Sequence, residues 1–473
     1  MSNIRAFIKD SAWAVGSQTI SMVTGVVMSF ILPKFITVES FGYWHLFLLY
    51  AGYVGVLHFG YGDGIYLKLG GQYFEKIDKD YWFPQIQLVS IIQLVMGLLV
   101  ALFAYFTMSD EPTRQSIFYF LAVYVVIDNI YKLLSFVLMA TDKMAFYSKT
   151  VIIDKSLMFV SIILILFFIK NINVLVIVGA YVLSHLVVLV TTLRKFPGLF
   201  IRMGIVSKTV TLGALGVCSS GIVLTLSNIM STLITGSCRM LVERFWDIEA
   251  FAQLSFAIVV SSFLLIFISQ ISYVLFPFLR RLPEESQGKV LDKLTFLLTG
   301  SSIYLFIAVF LLYVFVYFWL PEYHQALGFL ILLSPICFYD LRTNLIFNTY
   351  YKNLNRIRLL LVINVVTVII AVVMSIIAIS FNSMNLIALA ILVSLAFKAS
   401  VMQLWLYKYY NLKASGLFYF DLVFAALMFV SYSLYGFYGS LACYFVLIVI
   451  LSILYGKKLY CNLQQIMEIV KKR

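Results

Sequence analysis

The sequence predicts an all-α polytopic membrane protein with about 14 transmembrane helices, and three observations carry that prediction. First, 63% of the 473 residues are hydrophobic and only 12% are charged, against about 25% charged in a soluble globular chain. Such a chain cannot cover a water-facing surface, and its mean hydropathy is +1.00. Second, apolar runs of roughly 18 or more residues recur from end to end, each able to cross about 30 Å of hydrocarbon as a helix. They fall near 12–33, 43–62, 85–107, 115–139, 148–169, 173–193, 209–234, 251–276, 294–319, 326–350, 357–380, 385–407, 418–436 and 438–456. Third, the connectors are short, so no extramembrane domain is expected.

The net charge of +13 does not point to nucleic acid. An even helix count places both termini on one side, and the cytoplasm is the side that gathers the basic residues. The expected inner loops hold Arg194, Lys195, Arg202 and Lys208, then Arg280, Arg281, Lys289 and Lys293, then Lys352, Arg356 and Arg358, while the outer connections at 381–385 and 436–439 hold none. The charge is thus mostly topological. Cys218, Cys238, Cys337, Cys443 and Cys461 are scattered without CxxC spacing and read as small apolar residues. Arg5 and Lys9 precede the first apolar run, which is expected to stay uncleaved.

Taken in order, the first helix follows Asp10-Ser11, a capping pair, and ends at Pro33; Gly16, Ser17, Ser21 and Gly25 make it approachable by another helix. The second meets Gly60, Gly62 and Gly64 within five residues, which predicts a hinge in a broken helix beside a cavity, or simply a helix end. Helices three and four join at Ser109–Arg114, and five and six complete a first lobe, 1–200. The basic link 194–208, with Pro197-Gly198, marks the boundary. A second six-helix lobe is expected over 201–410, and 411–473 adds two further helices and a cytoplasmic tail.

A repeat supports two similar lobes. Lys34-Phe35-Ile36-Thr37-Val38-Glu39-Ser40-Phe41-Gly42 and Arg244-Phe245-Trp246-Asp247-Ile248-Glu249-Ala250-Phe251-Ala252 share the order basic, Phe, two variable residues, β-branched, Glu, small, Phe, small. Each lies in the first hairpin of a six-segment half, which suggests duplication.

Several stretches resemble the polysaccharide-transport (O-antigen and capsule repeat-unit flippase) branch of the multidrug/oligosaccharidyl-lipid/polysaccharide exporter superfamily. They are Pro33-Lys34-Phe35 with Phe41-Gly42; His58-Phe59-Gly60-Tyr61-Gly62; Phe276-Pro277-Phe278-Leu279-Arg280; Leu320-Pro321-Glu322-Tyr323; and Asn353-Leu354-Asn355-Arg356. The likeness runs in order over essentially the whole chain. Where that family often carries an acidic-basic pair after helix seven, this chain has Cys238-Arg239, so no role of that acid transfers. The resemblance implies two pseudo-symmetric lobes rocking around a central cavity in a bacterial plasma (inner) membrane. The implied substrate is an undecaprenyl-pyrophosphate-linked oligosaccharide, moved from the cytoplasmic to the outer leaflet, with other polysaccharide-assembly membrane proteins as partners.

Ionisable groups at membrane depth are costly and mark function by default. Lys132, Lys155, Arg342 and Lys398 fall inside the expected spans and, facing one cavity, would suit a pyrophosphate or acidic sugar. Against this, Asp128 and Lys132 are four apart and can neutralise each other, and Lys155 can snorkel. Asp340, Asn344 and Asn348 recur every four residues, a stripe fit for sugar hydroxyls, a coupling cation or neighbouring helices. Asp128 and Asp340 are the coupling-ion candidates for H⁺ or Na⁺, and His58 and His185 are candidate proton relays. Lys34, Arg239 and Arg244 are expected at the outer mouth, drawing in an anionic headgroup or anchoring at the interface.

The rival transport readings are a lipid II flippase and a cation-coupled multidrug exporter. The latter would favour an acidic cavity. A membrane glycan polymerase or acyltransferase is disfavoured, because the chain has only His45, His58, His185 and His324, no recognisable triad and no metal-ligand cluster. No catalytic residue, metal or cofactor is expected.

Overall fold

The computed structural model describes residue 13 and residues 16–200, 207–262, 283–413 and 416–471, with side chains to 462. Among these residues there is no strand. Ten helices are long and apolar enough to cross a membrane, and a bent pair makes eleven. The other expected segments are present in different form. The second is divided into two shorter helices, the eighth is described only to Ser262, and the last two are one helical run turned at Gly436.

The burial pattern is that of a protein in lipid. Phe167 is 82% exposed and Ile453 78%, while Gln93, Asn129, Asp128 and Asp421 are buried. Apolar side chains face outward where hydrocarbon solvates them, and polar ones turn inward where only protein can pair them.

The chain forms two compact units, Met1–Ile229 and Met230–Arg473. In the first, α1 (Gly16–Lys34) ends through a π turn, Val27–Ile31, and a 3-10 turn, Leu32–Lys34, that carries Pro33. α2 (Val38–Ala51) follows. A 3-10 turn, Val54–His58, and two left-handed residues, Phe59 (φ 53°) and Gly60 (φ 80°), separate it from α3 (Tyr61–Leu69). α4 (Lys79–Thr107), α5 (Pro112–Ala140), α6 (Met144–Phe168) and α7 (Val174–Leu193) complete the set, with the first part of α8 (Lys208–Phe245). α5 packs against α2, α3, α4, α6 and α7 and is the axis of the unit.

The second unit takes the last part of α8, then α9 (Ile248–Ser262), α10 (Glu284–Leu305) and α11 (Ile307–Trp319). α12 (His324–Leu333) and α13 (Ile336–Arg342) belong to a span bent by 51° at Ser334-Pro335. Pro335 lacks the N–H that would continue the ladder. A π turn, Thr343–Phe347, leads into α14 (Asn348–Asn353), and α15 (Ile357–Ser380), α16 (Met384–Tyr409) and α17 (Gly416–Lys471) follow. Gly436, at φ 63° and ψ −150°, turns α17.

The sequence repeat has a shared local structure. Thr37 and Asp247 occupy equivalent positions. The Thr37 hydroxyl accepts from the Ser40 amide at 3.2 Å and the Asp247 carboxylate from the Ala250 amide at 2.6 Å, each capping the helix it precedes. Phe41 and Phe251 are fully buried, whereas Phe35 and Phe245 are 53% and 59% exposed. The shared order is therefore a helix end, a cap and a new helix anchored by one buried ring. The resemblance motif at Phe276–Arg280 and the capping pair Asp10-Ser11 lie outside the described residues.

Candidate functional site

The break in the second segment is held by polar side chains from two other helices. A 3-10 turn at membrane depth frees carbonyls that hydrocarbon cannot satisfy. Asn129 of α5 donates to the Val54 carbonyl (3.0 Å) and to Gln93 Oε1 (2.8 Å), and Gln93 of α4 donates to the Leu57 carbonyl (3.0 Å). Both are fully buried, so the irregular backbone is built in. Gly60 stands at the break, whereas Gly62 and Gly64 lie inside α3. A Cβ on Gly62 would meet the Phe136 ring at 2.5 Å, and one on Gly64 would strike the Val217 carbonyl of α8. Gly221 of α8 faces Gly60 and Gly64 in return, and Thr225 donates to the Asp63 carboxylate. Gly60 and Gly64 thus share one contact, a close α3–α8 approach that small residues permit, while Gly62 makes room for the Phe136 ring of α5.

A charged network runs beside the break. Lys132 meets Asp128 at 2.6 Å on α5; Lys155 meets Asp154 at 2.8 Å on α6; and His185 Nδ1 of α7 lies 3.2 Å from Asp154. The Tyr181 carbonyl, 3.0 Å from Nδ1, must accept, so Nδ1 carries the hydrogen. The Tyr124 ring packs with its centroid 5.6 Å from that of Tyr181 and 5.1 Å from that of His185, and the Tyr181 ring lies 5.9 Å from the Lys155 ammonium. His58 is buried next to Lys132, with its Nδ1 unpartnered and its ring against Phe136. Lys132 and Lys155 therefore each pair with an acid on their own helix, and Asp154 also reaches His185. Asp154 was not singled out, because nothing adjacent in sequence except Lys155 marks it.

In the second unit, Arg342 and Lys398 have different surroundings. Arg342 is 2% exposed and meets Asp421 of α17 at 2.5 Å; its other terminal nitrogen donates to Thr299 of α10 at 3.2 Å. Lys398, also 2% exposed, donates to the Ser231 hydroxyl at 2.7 Å. Among the described residues no carboxylate lies within ion-pair distance of it, although Asp340 acts on it electrostatically. Asn348 donates to Asn344 at 3.1 Å across the π turn. Asp340 is half-buried and Asn344 exposed.

The three expected mouth cations have different local surroundings. Lys34 and Arg244 are exposed. Arg239 donates to Ser255 at 3.0 Å and stacks on Phe251, 5.1 Å from the ring centroid, which ties α8 to α9. The five cysteines are free thiols, and no group of three metal-ligating side chains occurs among the described residues.

No protein-family model matches the chain, and no curated protein sequence matches it. Solved structures do. An inward-facing multidrug resistance transporter of the MATE family, in the MOP superfamily, superposes with a TM-score of 0.64 at 13% identity, covering 83% of this chain and 94% of that one. The lipid II flippase MurJ, in an inward closed conformation, gives 0.64 at 12% identity, covering 95% and 99%. The MATE multidrug transporter DinF-BH gives 0.58 at 13% identity, covering 87% and 96%. The chain therefore has the two-lobed, all-helical fold of these transporters and of this flippase.

Proposed function

We propose that the chain is a flippase that moves an undecaprenyl-pyrophosphate-linked oligosaccharide repeat unit from the cytoplasmic to the outer leaflet by alternating access. The observation that carries this reading is Lys398. An ammonium at membrane depth, 2% exposed and held by a serine hydroxyl at 2.7 Å, is a charge awaiting an anion. A pyrophosphate or a uronic acid supplies one. Asp340, Asn344 and Asn348 offer the amide and carboxylate groups that bind sugar hydroxyls. Coverage of the lipid II flippase structure supports a lipid-linked substrate over a drug, since 95% of this chain aligns there against 83% and 87% in the two multidrug transporters.

The coupling ion in this reading is a proton. Asp128 and Asp154 each hold a lysine ammonium within 3 Å, so a sodium ion would have to displace it. A proton instead has Asp128, Asp154 and His185 to occupy.

The test is complementation in a host lacking its glycan flippase, with surface glycan scored at matched expression. Restoration by the wild type, and loss in Lys398→Ala with partial retention in Lys398→Arg, supports the reading. Rescue unaffected by Lys398→Ala removes the cationic-site assignment. Failure with every repeat unit, together with rescue of a lipid II flippase deletion or export of a cationic dye, moves the function to one of those substrates.

A further inference from the structure

One end of the second unit is stitched together by tyrosines in a way that leaves a set of cations unpaired. Gln287 is the hub. Its carbonyl accepts from the Tyr350 hydroxyl (2.8 Å), and its side-chain oxygen accepts from Tyr410 (2.9 Å) and Asn353 (3.1 Å). These bonds bring together the start of α10, the end of α16 and the turn between α14 and α15. Two acids of the rim also go to tyrosines: Tyr409 donates to Glu284 at 2.8 Å and Tyr407 to Asp292 at 3.1 Å.

Five cations on the same segments, Lys289, Arg356, Arg358, Lys408 and Lys413, are all exposed. Among the described residues none of the five is in an ion pair. In the first unit Lys143 pairs with both Glu75 and Asp142 and Lys195 lies over the Phe146 ring, while Lys68, Lys79 and Arg194 are exposed and, among the described residues, in no ion pair. Loop cations alone need only satisfy topology. Five cations gathered around one hydrogen-bonded hub, with Glu284 and Asp292 bonded to tyrosine hydroxyls and not to those cations, are a further feature. Trp405, stacked on Tyr409 and tilted against Tyr351 with centroids 5.6 and 5.0 Å away, is the kind of ring that sits at headgroup depth.

We propose that this rim binds the phosphates of anionic phospholipids in the leaflet it faces. Guanidinium forks match phosphate oxygens in pairs, and each cation near an anionic surface adds about 1 kcal/mol of attraction. The site is separate from the groups assigned to the transported substrate and does not depend on that assignment.

The full-length chain in a neutral detergent would be titrated with phosphatidylglycerol or phosphatidylcholine of matched chains, and bound lipids counted by native mass spectrometry. Phosphatidylglycerol is expected to bind about ten-fold tighter at low salt, the preference fading as salt rises. The triple variant Arg356→Gln, Arg358→Gln, Lys413→Gln is expected to bring the two lipids near parity, whereas Lys68→Gln, Lys76→Gln, Lys79→Gln in the first unit preserves the preference. Tyr409→Phe leaves the charge count unchanged but frees Glu284 to pair with a rim cation, so it should weaken the preference by about two- to five-fold. Equal binding of both lipids by the wild type overturns the proposal. So does full preference in the triple variant, or an equal loss in the first-unit variant. If the triple variant does not fold, an unchanged preference in Tyr409→Phe overturns it.

Discussion

Arg342 and Asp421 meet at 2.5 Å with side chains 2% and 1% exposed, so the final helical run supplies the counter-charge for an arginine placed 79 residues earlier. Removing one partner of a buried pair strands the other charge and typically costs about 3–5 kcal/mol, while replacing both by apolar residues can be neutral. Arg342→Met and Asp421→Leu singly are expected to lower the thermal midpoint of the purified protein strongly, and the double variant to recover most of the loss. Additive losses in a double-mutant cycle would show that the two charges act independently.

The α3–α8 approach makes a second prediction. Gly60 has φ +80°, and a Cβ there would sit 2.5 Å from the Ile222 nitrogen. Gly60→Ala combines left-handed strain of about 1–2 kcal/mol with that clash and should destabilise clearly. Gly71→Ala, with φ +87° and open space around it, should show the strain alone. Thermal unfolding of the two variants separates packing from backbone.

The repeat gives matched experiments on the two units. Thr37→Ala and Asp247→Ala each remove the acceptor that caps a helix start, and each should cost about 0.5–2 kcal/mol. Hydrogen exchange should show the loss confined to the first turn of α2 or α9, at the Ser40 and Ala250 amides whose acceptors are gone.

The loops of the first unit make a pH-dependent clasp. The hydrogen bond from Lys143 holds the Glu75 carboxyl below its ordinary 4.5. Partial burial raises Asp142, but the Phe74 amide and Lys143 outweigh it and leave it below 3.8. Bonding to Glu75 raises Lys143 above 10.5. Carboxyls depressed by folding contribute stability above their unfolded values and lose it as pH falls through the folded ones. A raised lysine contributes below its unfolded value and loses it as pH climbs through the folded one. Protection of the Phe74 amide, which donates to Asp142 at 2.8 Å, should be level from about pH 5 to 10 and decline on either side. Lys143→Gln should lower that plateau and remove the alkaline decline.

Much of the fold was legible because hydrocarbon imposes long apolar runs on any helix that crosses it. Length alone led to an expectation of fourteen segments, of which the described residues show ten as single long apolar helices or eleven with the bent pair, and the basic-Phe…Glu…Phe repeat could be matched without coordinates. What length did not show was how a segment breaks. The second segment reads as apolar through 43–62, yet it turns at Phe59-Gly60 because Gln93 and Asn129 accommodate the freed carbonyls. Neither amide stands near the break in sequence.

The candidate site divides the same way. Composition and hydropathy by themselves determined that this is a many-helix membrane protein, and the charges within its spans identified Lys132, Lys155, Arg342 and Lys398 as residues needing explanation. Spacing already offered Lys132 its acid; tertiary structure decided what the others answer. Lys132 and Lys155 each find an acid locally, at i−4 and i−1. Arg342 finds one 79 residues on, and Lys398 reaches Ser231, 167 residues away. The physical reason is that a charge in hydrocarbon must be satisfied by whatever group packing brings within about 3 Å, and that distance is a property of the folded chain, invisible in the spacing of its residues.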